Sequence, residues 1–331
     1  MQSPSPQEAI LGITLGFWQS RALSVVTDLE IADLLSQGPV SSTELAHRSG
    51  SDPIYLHRVL RALASIGIFA QSSTGDFINT PISQCLLKNA PGSLFSWIRS
   101  QLSTGNGFYE AWSAFGKTIQ TGVSGFDQVF GQSFWEFSQE HPEAGKLFDH
   151  SMLQATQTFT PAITDGFDWG ADKTIVDIGG GIGTQLVDIL SRHVGCTGIL
   201  FDQPHVLKGA LTHPKMQSVS GDFFTNVPPH AEIYLLRSIL HDWNDLKAIH
   251  LLKNIRKAAT EHSTVVVAEI VLLDGLQFEV GKWSDLLMGV FNGGCERTGK
   301  QLTDLLAVAD LEVQTFIPTA SPLTLVVARP V

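Results

Sequence analysis

The sequence has 331 residues, of which 43% are apolar and 16% are charged. A chain of this length buries a sizeable core and favours two domains, and its low charge content excludes an intrinsically disordered protein. The formal net charge is −11, from 21 Lys and Arg against 32 Asp and Glu. That balance argues against a nucleic acid as the main partner.

The cysteine pattern excludes a disulfide framework and a zinc site. Cys85, Cys196 and Cys295 lie far apart, with no CxxC or CxH spacing. No uninterrupted apolar run reaches the ~18 residues that a membrane span needs. The apolar stretch Ala9–Trp18 has no basic residue before it, so it lacks the charged start of a signal peptide. We expect a soluble, cytoplasmic protein with no metal centre and no membrane partner.

Residues 1–92 are predicted to form a mostly helical domain of the winged-helix type. Ser42 opens a short helix, and Asp52 precedes a longer one that runs through Ile66. Two short strands around Gly75 follow as the wing. The pattern is typical of a DNA-binding module or of a helical dimerisation module. The second interpretation is favoured, because few arginines are available for phosphate contacts in an acidic chain.

Residues 93–165 are predicted to be a helical segment that forms a ligand pocket. The window 94–137 holds eleven aromatic residues and only five charged ones. Such a composition indicates either an ordinary helical core or the wall of an apolar pocket for a flat organic ligand. The sequence leaves both interpretations open.

Residues 166–331 alternate between strand and helix patterns. The predicted strands are Thr174–Ile178, Gly198–Asp202, a third strand just before Gly221, Ile233–Leu236 and Thr264–Leu272. The predicted helices are Thr184–His193, Trp243–Thr260 and Val280–Phe291. Leu311–Ile317 and Leu323–Ala328 read as a closing hairpin. This order predicts an α/β fold with a Rossmann-like, mostly parallel sheet and an antiparallel C-terminal hairpin, so that residues 93–331 form the catalytic domain.

A glycine-rich loop follows the first of these strands. Asp177, Gly179, Gly181 and Gly183 form an Asp-x-Gly-x-Gly-x-Gly pattern, in which the glycines allow a tight turn and close approach of a ligand. The dinucleotide fingerprint fails because Thr184 occupies its last glycine position. A carboxylate at this strand end would repel a pyrophosphate, but it suits a ligand with a cationic end, such as S-adenosylmethionine.

Two further acidic residues end the next strands. Asp202 lies nineteen residues after Gly183, an offset that suits a carboxylate bound to ribose hydroxyls. Asp222, followed by Phe223 and Phe224, could bind an adenine amino group while a phenylalanine packs on the ring. The competing interpretation is three solvated turn acids. The combination of the loop with both carboxylates favours a nucleoside site.

His241 is expected to end the fourth strand, and Glu269 lies near the end of the fifth, so they can meet at the ligand-binding edge of the sheet. A phenol with a pKa near 10 is only ~0.1% ionised at pH 7, and an imidazole with a pKa of ~6.5 can take its proton during methyl transfer. A carboxylate on the other ring nitrogen would orient the imidazole. Asp242 is the poorer candidate for that role, since neighbouring side chains on an extended segment point to opposite faces. Glu296 is a second candidate, and a helix-capping histidine is the competing interpretation.

Taken together, the motifs resemble those of the S-adenosylmethionine-dependent O-methyltransferases that act on small aromatic acceptors, both the plant caffeic-acid and flavonoid enzymes and the bacterial phenazine and polyketide-tailoring enzymes. The motifs are VDIGGG at 176–181, FDQPHV at 201–206, GDFF at 221–224, HDW at 241–243, AEI at 268–270 and GGCERT at 293–298.

The resemblance implies methyl transfer to a hydroxyl group of a small aromatic or enolic metabolite, and a homodimer. It implies His241 as general base, bracketed by Glu269 and Glu296. The cofactor-binding residues it implies are Asp177, Gly179, Gly181, Asp202, Gln203, Asp222, Phe223 and Arg237, the last in place of a lysine. The acceptor-binding residues it implies are Trp135, Met152, Met288 and Asn292. The alternatives are a relative that keeps the cofactor but catalyses decarboxylation, hydroxylation or a pericyclic reaction, and a DNA-binding regulator.

Overall fold

The structure is a computed structural model that describes residues 4–331, apart from the side chains of residues 155–157. The chain divides into two compact units. The first comprises the described residues up to Glu110 together with Trp135–Ala155, and the second comprises Ala111–Phe134 and Thr156–Val331. The domain boundary expected from the sequence, between residues 92 and 93, stays a prediction.

The α-helices of the described chain are α1 (Pro6–Asp28), α2 (Ile31–Leu34), α3 (Ser42–Ser49), α4 (Pro53–Ala64), α5 (Pro81–Gln84), α6 (Phe95–Leu102), α7 (Phe108–Ala111), α8 (Phe115–Thr121), α9 (Gly125–Phe130), α10 (Phe134–Glu140), α11 (Pro142–Gly166), α12 (Thr184–Arg192), α13 (Asp245–Ala258), α14 (Val280–Phe291) and α15 (Gly299–Ala307). Three 3₁₀ turns cover Trp112–Ala114, Val206–Gly209 and Leu240–Asp242. The strands are β1 (Phe69–Gln71), β2 (Phe77–Asn79), β3 (Thr174–Ile178), β4 (Thr197–Asp202), β5 (Met216–Ser220), β6 (Ile233–Arg237), β7 (Thr264–Leu272), β8 (Arg297–Thr298), β9 (Leu311–Pro318) and β10 (Leu323–Pro330).

The first unit contains the predicted winged-helix arrangement. Ser41 caps α3 by accepting a hydrogen bond from the Glu44 N–H, and Asp52 caps α4 by accepting from the Ile54 and Tyr55 N–H groups. These side chains satisfy backbone donors that the first helical turn leaves unpaired. Strands β1 and β2 pair antiparallel as the wing. Helix α4 ends two residues before the predicted end.

Helix α1 is largely exposed, and its surface is apolar. By length and composition alone it is able to cross a membrane, although only 11% of its most apolar window is buried. No uninterrupted apolar run marks this helix in the sequence, because glycine, serine and glutamine interrupt the pattern. A signal sequence or the core helix of a soluble protein meets the same criterion, so α1 alone assigns no membrane role.

The second unit is built on a sheet with the strand order β5-β4-β3-β6-β7-β10-β9, and β8 pairs with β7 beside this path. Strands β3 to β7 pair parallel with one another. Strand β10 pairs antiparallel with both β7 and β9. The predicted Rossmann-like sheet and its antiparallel hairpin are confirmed. The chain order reverses between β3 and β6, and open α/β sheets bind ligands at the carboxyl ends of strands at such a point.

The backbone that follows β6 differs from the predicted one. The strand ends at Arg237, and His241 lies in the 3₁₀ turn Leu240–Asp242 rather than at the strand end. Ser238 connects the two with a backbone φ of 52°, in the left-handed region that residues other than glycine rarely adopt. The chain therefore turns sharply at the ligand-binding edge of the sheet.

Candidate active site

The glycine loop after β3 is shaped for close contact with a ligand. Gly179, Gly181 and Gly183 all have positive φ angles, of 66°, 61° and 89°. A Cβ on Gly179 would lie 2.6 Å from Ile239 Cδ1 and 3.6 Å from the ring of Phe223, whereas a Cβ on Gly181 would meet no atom within 4 Å. The loop is therefore packed at its start and open at Gly181, where a ligand can approach the backbone.

Asp177, which precedes the loop, is buried, and Arg237, at the end of β6, is half-buried. Burial raises the pKa of Asp177 to about 7, opposed by attraction to Arg237 and assisted by repulsion from Asp202. Burial also lowers the pKa of Arg237 to about 10, against the attraction of Asp177 and Glu269. Asp177 Oδ2 and Arg237 Nε are buried and have no hydrogen-bond partner among the described residues. Unsatisfied buried polar atoms of opposite charge fit a zwitterionic ligand, such as the amino-acid end of S-adenosylmethionine.

Asp202 is already engaged with the glycine loop. Its Oδ2 accepts a hydrogen bond from the Gly181 N–H at 2.8 Å, and its Oδ1 accepts from the Gln203 N–H at 2.6 Å. Each carboxylate oxygen has two lone pairs. These bonds hold the carboxylate beside the loop, and its contact with ribose hydroxyls stays a prediction.

The segment after β5 is a tight turn that Asp222 stabilises. Asp222 Oδ1 accepts from the Phe224 N–H at 2.8 Å. Asn254 on α13 donates to the carbonyl oxygens of Phe223 and Phe224 at 3.0 and 2.8 Å. Sequence reasoning missed Asn254, because a lone buried asparagine in a helix gives no local signal. Asn254 fixes the orientation of Phe223, whose ring lies beside Gly179.

The imidazole of His241 lies between two buried carboxylates. Its Nδ1 is 3.1 Å from Glu296 Oε1 and 3.7 Å from Glu269 Oε2. Glu269 Oε1 accepts from the Ile239 and Leu240 N–H groups at 3.0 and 2.8 Å, so Glu269 also supports the turn that carries His241. The structure thus brings together the three residues that the sequence proposed as a catalytic group.

The pKa values of His241 and Glu269 differ from the ordinary values on which the sequence prediction rests. Burial by itself lowers the pKa of His241, but attraction to Glu269 and Asp242 and the hydrogen bond to Glu296 outweigh it and raise the pKa to about 10. Burial raises the pKa of Glu269 to about 7, although His241 attracts its charged form. Without ligands the group therefore favours an imidazolium next to carboxylate at pH 7. One donor atom from each residue lies within 4.8 Å of the others, a separation that would also suit a divalent cation.

Asp242 is closer to the imidazole than the sequence argument allowed. The prediction of an extended segment is wrong, because His241 and Asp242 lie in a 3₁₀ turn. Asp242 Oδ1 is 3.7 Å from His241 Nε2 and accepts a hydrogen bond from Asn292 Nδ2 at 2.7 Å. Burial raises the pKa of Asp242, against the attraction of His241 and the bond from Asn292. Asp242, which Asn292 holds in place, thus lies beside His241 Nε2.

The four residues predicted to bind the acceptor belong to different units. Met288 and Asn292 lie at the end of α14 in the second unit, where Met288 is buried and its carbonyl accepts from the Asn292 N–H. Trp135 and Met152 belong to the first unit. The Trp135 ring packs edge-on against the Phe148 ring, with 5.9 Å between the ring centroids. Their role in acceptor binding stays a prediction.

Comparison with known proteins identifies the family of the chain. Residues 112–311 match the model of the O-methyltransferase domain, and residues 11–89 match the model of the O-methyltransferase dimerisation domain. The chain therefore belongs to the O-methyltransferase family. This membership confirms the resemblance stated from the motifs and the expected enzyme class, an S-adenosylmethionine-dependent O-methyltransferase. It also favours the dimerisation reading of the winged helix.

The chain is similar along its whole length to bacterial biosynthetic enzymes. It is 36% identical to a phenazine O-methyltransferase of Lysobacter antibioticus, over 97% of this chain and 96% of that protein. It is 35% identical to the O-demethylpuromycin O-methyltransferase of Streptomyces alboniger, over 98% and 89%. A phenazine-1-carboxylate N-methyltransferase of Pseudomonas aeruginosa is 28% identical, over 96% of both chains.

Solved structures show the same fold. The crystal structure of LaPhzM has a TM-score of 0.93 at 36% identity and covers 99% of this chain and 100% of its own. An O-methyltransferase of neocarzinostatin biosynthesis, solved with S-adenosylmethionine and 2-hydroxy-5-methyl naphthoic acid, has a TM-score of 0.83 at 28% identity, over 94% of this chain and 96% of its own.

The contrast between Gly179 and Gly181 generates a test of the loop. Alanine at either position strains a left-handed backbone by about 1 kcal/mol, and at Gly179 it also collides with Ile239. We expect Gly179→Ala to lower the free energy of unfolding in urea more than Gly181→Ala. We expect Gly181→Ala to weaken S-adenosylhomocysteine binding by about tenfold or more in calorimetry, since its methyl group enters the space beside the loop. Unchanged binding in Gly181→Ala would mean that the loop does not contact the cofactor.

Proposed function

We propose that the protein transfers a methyl group from S-adenosylmethionine to a hydroxyl group of a small aromatic or enolic metabolite, with His241 as the general base. The cofactor supplies an electrophilic methyl group when bound. The observation that carries the proposal is the partly buried His241 imidazole with its Nδ1 directed at two carboxylates, at 3.1 and 3.7 Å. This arrangement leaves Nε2 as the atom that takes the acceptor proton.

The glutamates act on the imidazole in two ways. An ionised carboxylate cannot donate a hydrogen bond, so Glu296 requires a hydrogen on Nδ1 and thereby selects the tautomer with a free Nε2. The negative charges of Glu269 and Glu296 also stabilise the imidazolium that forms when Nε2 gains the proton. Ser284 donates to Glu296 Oε1 at 2.7 Å and keeps this carboxylate in place.

The raised pKa of His241 makes its neutral ring a stronger base than an ordinary imidazole. Attraction to Glu269 and Asp242 and the hydrogen bond to Glu296 raise this pKa to about 10, and a free phenol has a pKa of about 10. The neutral ring therefore competes well for the acceptor proton, although only a small fraction of the rings is neutral at pH 7.

The cofactor residues are assigned on the same geometric grounds. The open backbone at Gly181, the carboxylate of Asp202 beside it and the ring of Phe223 next to Gly179 support a nucleoside held along the loop. Asp177 and Arg237 offer unpaired buried atoms to the amino and carboxylate groups of the cofactor. Gln203 and Asp222, at the ends of neighbouring strands, complete the set proposed from the motifs.

The acceptor and the assembly are proposed from the relatives. The neocarzinostatin enzyme was solved with a hydroxylated naphthoic acid, and flat aromatic acceptors of this kind suit the aromatic composition of residues 94–137. We propose Met288, Asn292, Trp135 and Met152 as residues that line the acceptor pocket. The dimerisation domain at residues 11–89 supports a homodimer, and a cytoplasmic location fits the biosynthetic roles of the relatives.

The first test removes the base. We expect His241→Ala to lower methyl transfer by ~10²-fold or more, because the acceptor must then lose its proton without help. Turnover is measured as S-adenosylhomocysteine release with a panel of phenols, and cofactor affinity by calorimetry stays unchanged. His262→Ala is the matched control, since His262 is exposed and lies 3.4 Å from Glu261 on the surface. Wild-type turnover in His241→Ala would remove this residue from the mechanism.

A second acceptor class, amines, is favoured by the similarity to an N-methyltransferase. A neutral amine attacks without prior loss of a proton, so its methylation depends less on a base than that of a phenol. An amine acceptor with the same transfer rate in His241→Ala and in the wild type would support N-methylation. Product formation without S-adenosylhomocysteine would instead support a reaction other than methyl transfer.

The pH dependence tests the charge arrangement. The base must be neutral, and a raised pKa makes neutral His241 scarce at pH 7. We therefore expect kcat/KM for a phenol to rise with pH in the range below the His241 pKa. Replacement of Glu296 by Gln removes one attraction for the imidazolium and lowers its pKa, so the rise shifts to lower pH while the maximal rate falls. An identical pH profile for Glu296→Gln would contradict the proposed role of Glu296.

A further inference from the structure

Arg297 is a buried arginine that the reaction described above does not use. Its side chain is 3% exposed and lies at the start of β8, directly after Glu296. Its Nε and Nη2 donate to Asp245 Oδ1 at 3.0 and 2.8 Å. Its Nη1 donates to the Leu240 carbonyl at 2.9 Å, and its Nη2 to the Trp243 carbonyl at 2.8 Å. The guanidinium therefore binds the backbone on both sides of His241.

The turn that carries His241 is weakly held by its own hydrogen bonds. The Asp242 N–H donates to Ile239 at 3.3 Å, and the Trp243 N–H donates to Leu240 at 3.2 Å, both longer than the usual 2.9–3.0 Å. Short 3₁₀ turns have poorer hydrogen-bond geometry than α-helices. The position of His241 therefore depends on groups outside the turn.

Those outside groups are Glu269, which accepts from the Ile239 and Leu240 N–H groups, and one short segment, Gly294–Arg297. The Cys295 N–H donates to the His241 carbonyl at 2.9 Å. A Cβ on Gly294 would lie 2.0 Å from the same carbonyl, so the two backbones are in direct contact. Glu296 faces Nδ1 from this segment, and Arg297 holds the flanking carbonyls. One segment thus fixes both the backbone of the base and its carboxylate partner.

We propose that Arg297 is a positioning residue, whose guanidinium fork clamps the His241 turn against the Gly294–Arg297 segment and so keeps Nδ1 within hydrogen-bond distance of Glu296. This inference rests on the proposed role of His241 as base. The planar fork is needed, because four hydrogen bonds in three directions require donors at fixed angles. Lysine is a compact point charge on a flexible stem and cannot reproduce them.

Asp245 orients the fork from the opposite side. It accepts from two nitrogens of Arg297 and lies in the first turn of α13, with its own side chain 70% exposed. Solvent screens this ion pair, so its contribution is mainly geometric. Removing the Asp245 charge is therefore a milder perturbation than changing Arg297, and it leaves the two carbonyl contacts available.

The experiment compares Arg297→Lys and Asp245→Asn with the wild-type enzyme. Arg256→Lys is the matched control, since Arg256 also donates to a backbone carbonyl, that of Val331 at 2.8 Å, away from His241. The first readout is the titration of the His241 ring by NMR in the ligand-free protein, with the signal assigned through the His241→Ala variant. The facing groups that set this titration are Asp242, Glu269 and Glu296. The second readout is kcat and KM for a phenol.

We expect Arg297→Lys to lower the His241 pKa by about one unit or more, since the hydrogen bond to Glu296 loosens. We expect its kcat to fall by about tenfold to a hundredfold while S-adenosylhomocysteine affinity stays within about twofold, because misplacement by a fraction of an ångström affects the reacting geometry first. Asp245→Asn should show smaller shifts in the same direction, and Arg256→Lys none. If Arg297→Lys does not fold, Asp245→Asn alone decides.

Wild-type titration and kcat in Arg297→Lys, or in Asp245→Asn where that variant decides, would overturn the inference. An equal loss in Arg256→Lys would also overturn it, because the effect would then reflect general stability. Retained turnover in His241→Ala would refute the proposed base instead. The NMR readout would still show whether Arg297 positions the imidazole, so the two failures are distinguishable.

Discussion

The site depends on one interaction, the contact of a partly buried imidazole with buried carboxylates at the edge of a parallel sheet. Glu269 and Glu296 are 2% and 3% exposed, and an isolated buried carboxylate is costly. The imidazolium of His241 compensates part of that cost. The charge of His241 and the charges of the two glutamates stabilise one another only at short distance. Their attraction therefore fixes the positions of β7, β8 and the His241 turn relative to one another. The same dependence raises the His241 pKa and makes the ring a strong base.

Much of this site could be predicted from the sequence, because parallel strands place their carboxyl ends at one edge. Asp202 ends one strand that periodicity identifies, Glu269 lies near the end of another, and the glycine loop follows the first strand of the sheet. Helix α14 has the bounds that its apolar spacing predicts. The six motifs then limited the family, and the comparison with known proteins confirmed it.

The rest depends on contacts across space that no local pattern encodes. Ser238 adopts a left-handed backbone that its residue type does not favour, so the sequence predicted a strand where a turn exists. Asp242 was judged from that wrong geometry. Asn254 and Arg297 act on backbone carbonyls of distant segments, and their residue types give no sign of it. The pKa of His241 depends on three carboxylates whose approach only the fold determines.

The left-handed residue at Ser238 also separates two tasks of the chain. The sheet registers end at Arg237, and the residues after Ser238 no longer follow the pleat. The pleat of β7 therefore places Glu269, whereas the turn after Ser238 places His241 independently of the pleat of β6. A substitution within Leu240–Asp242 can thus change the group at this edge while the pairing of β6 with its neighbours is preserved.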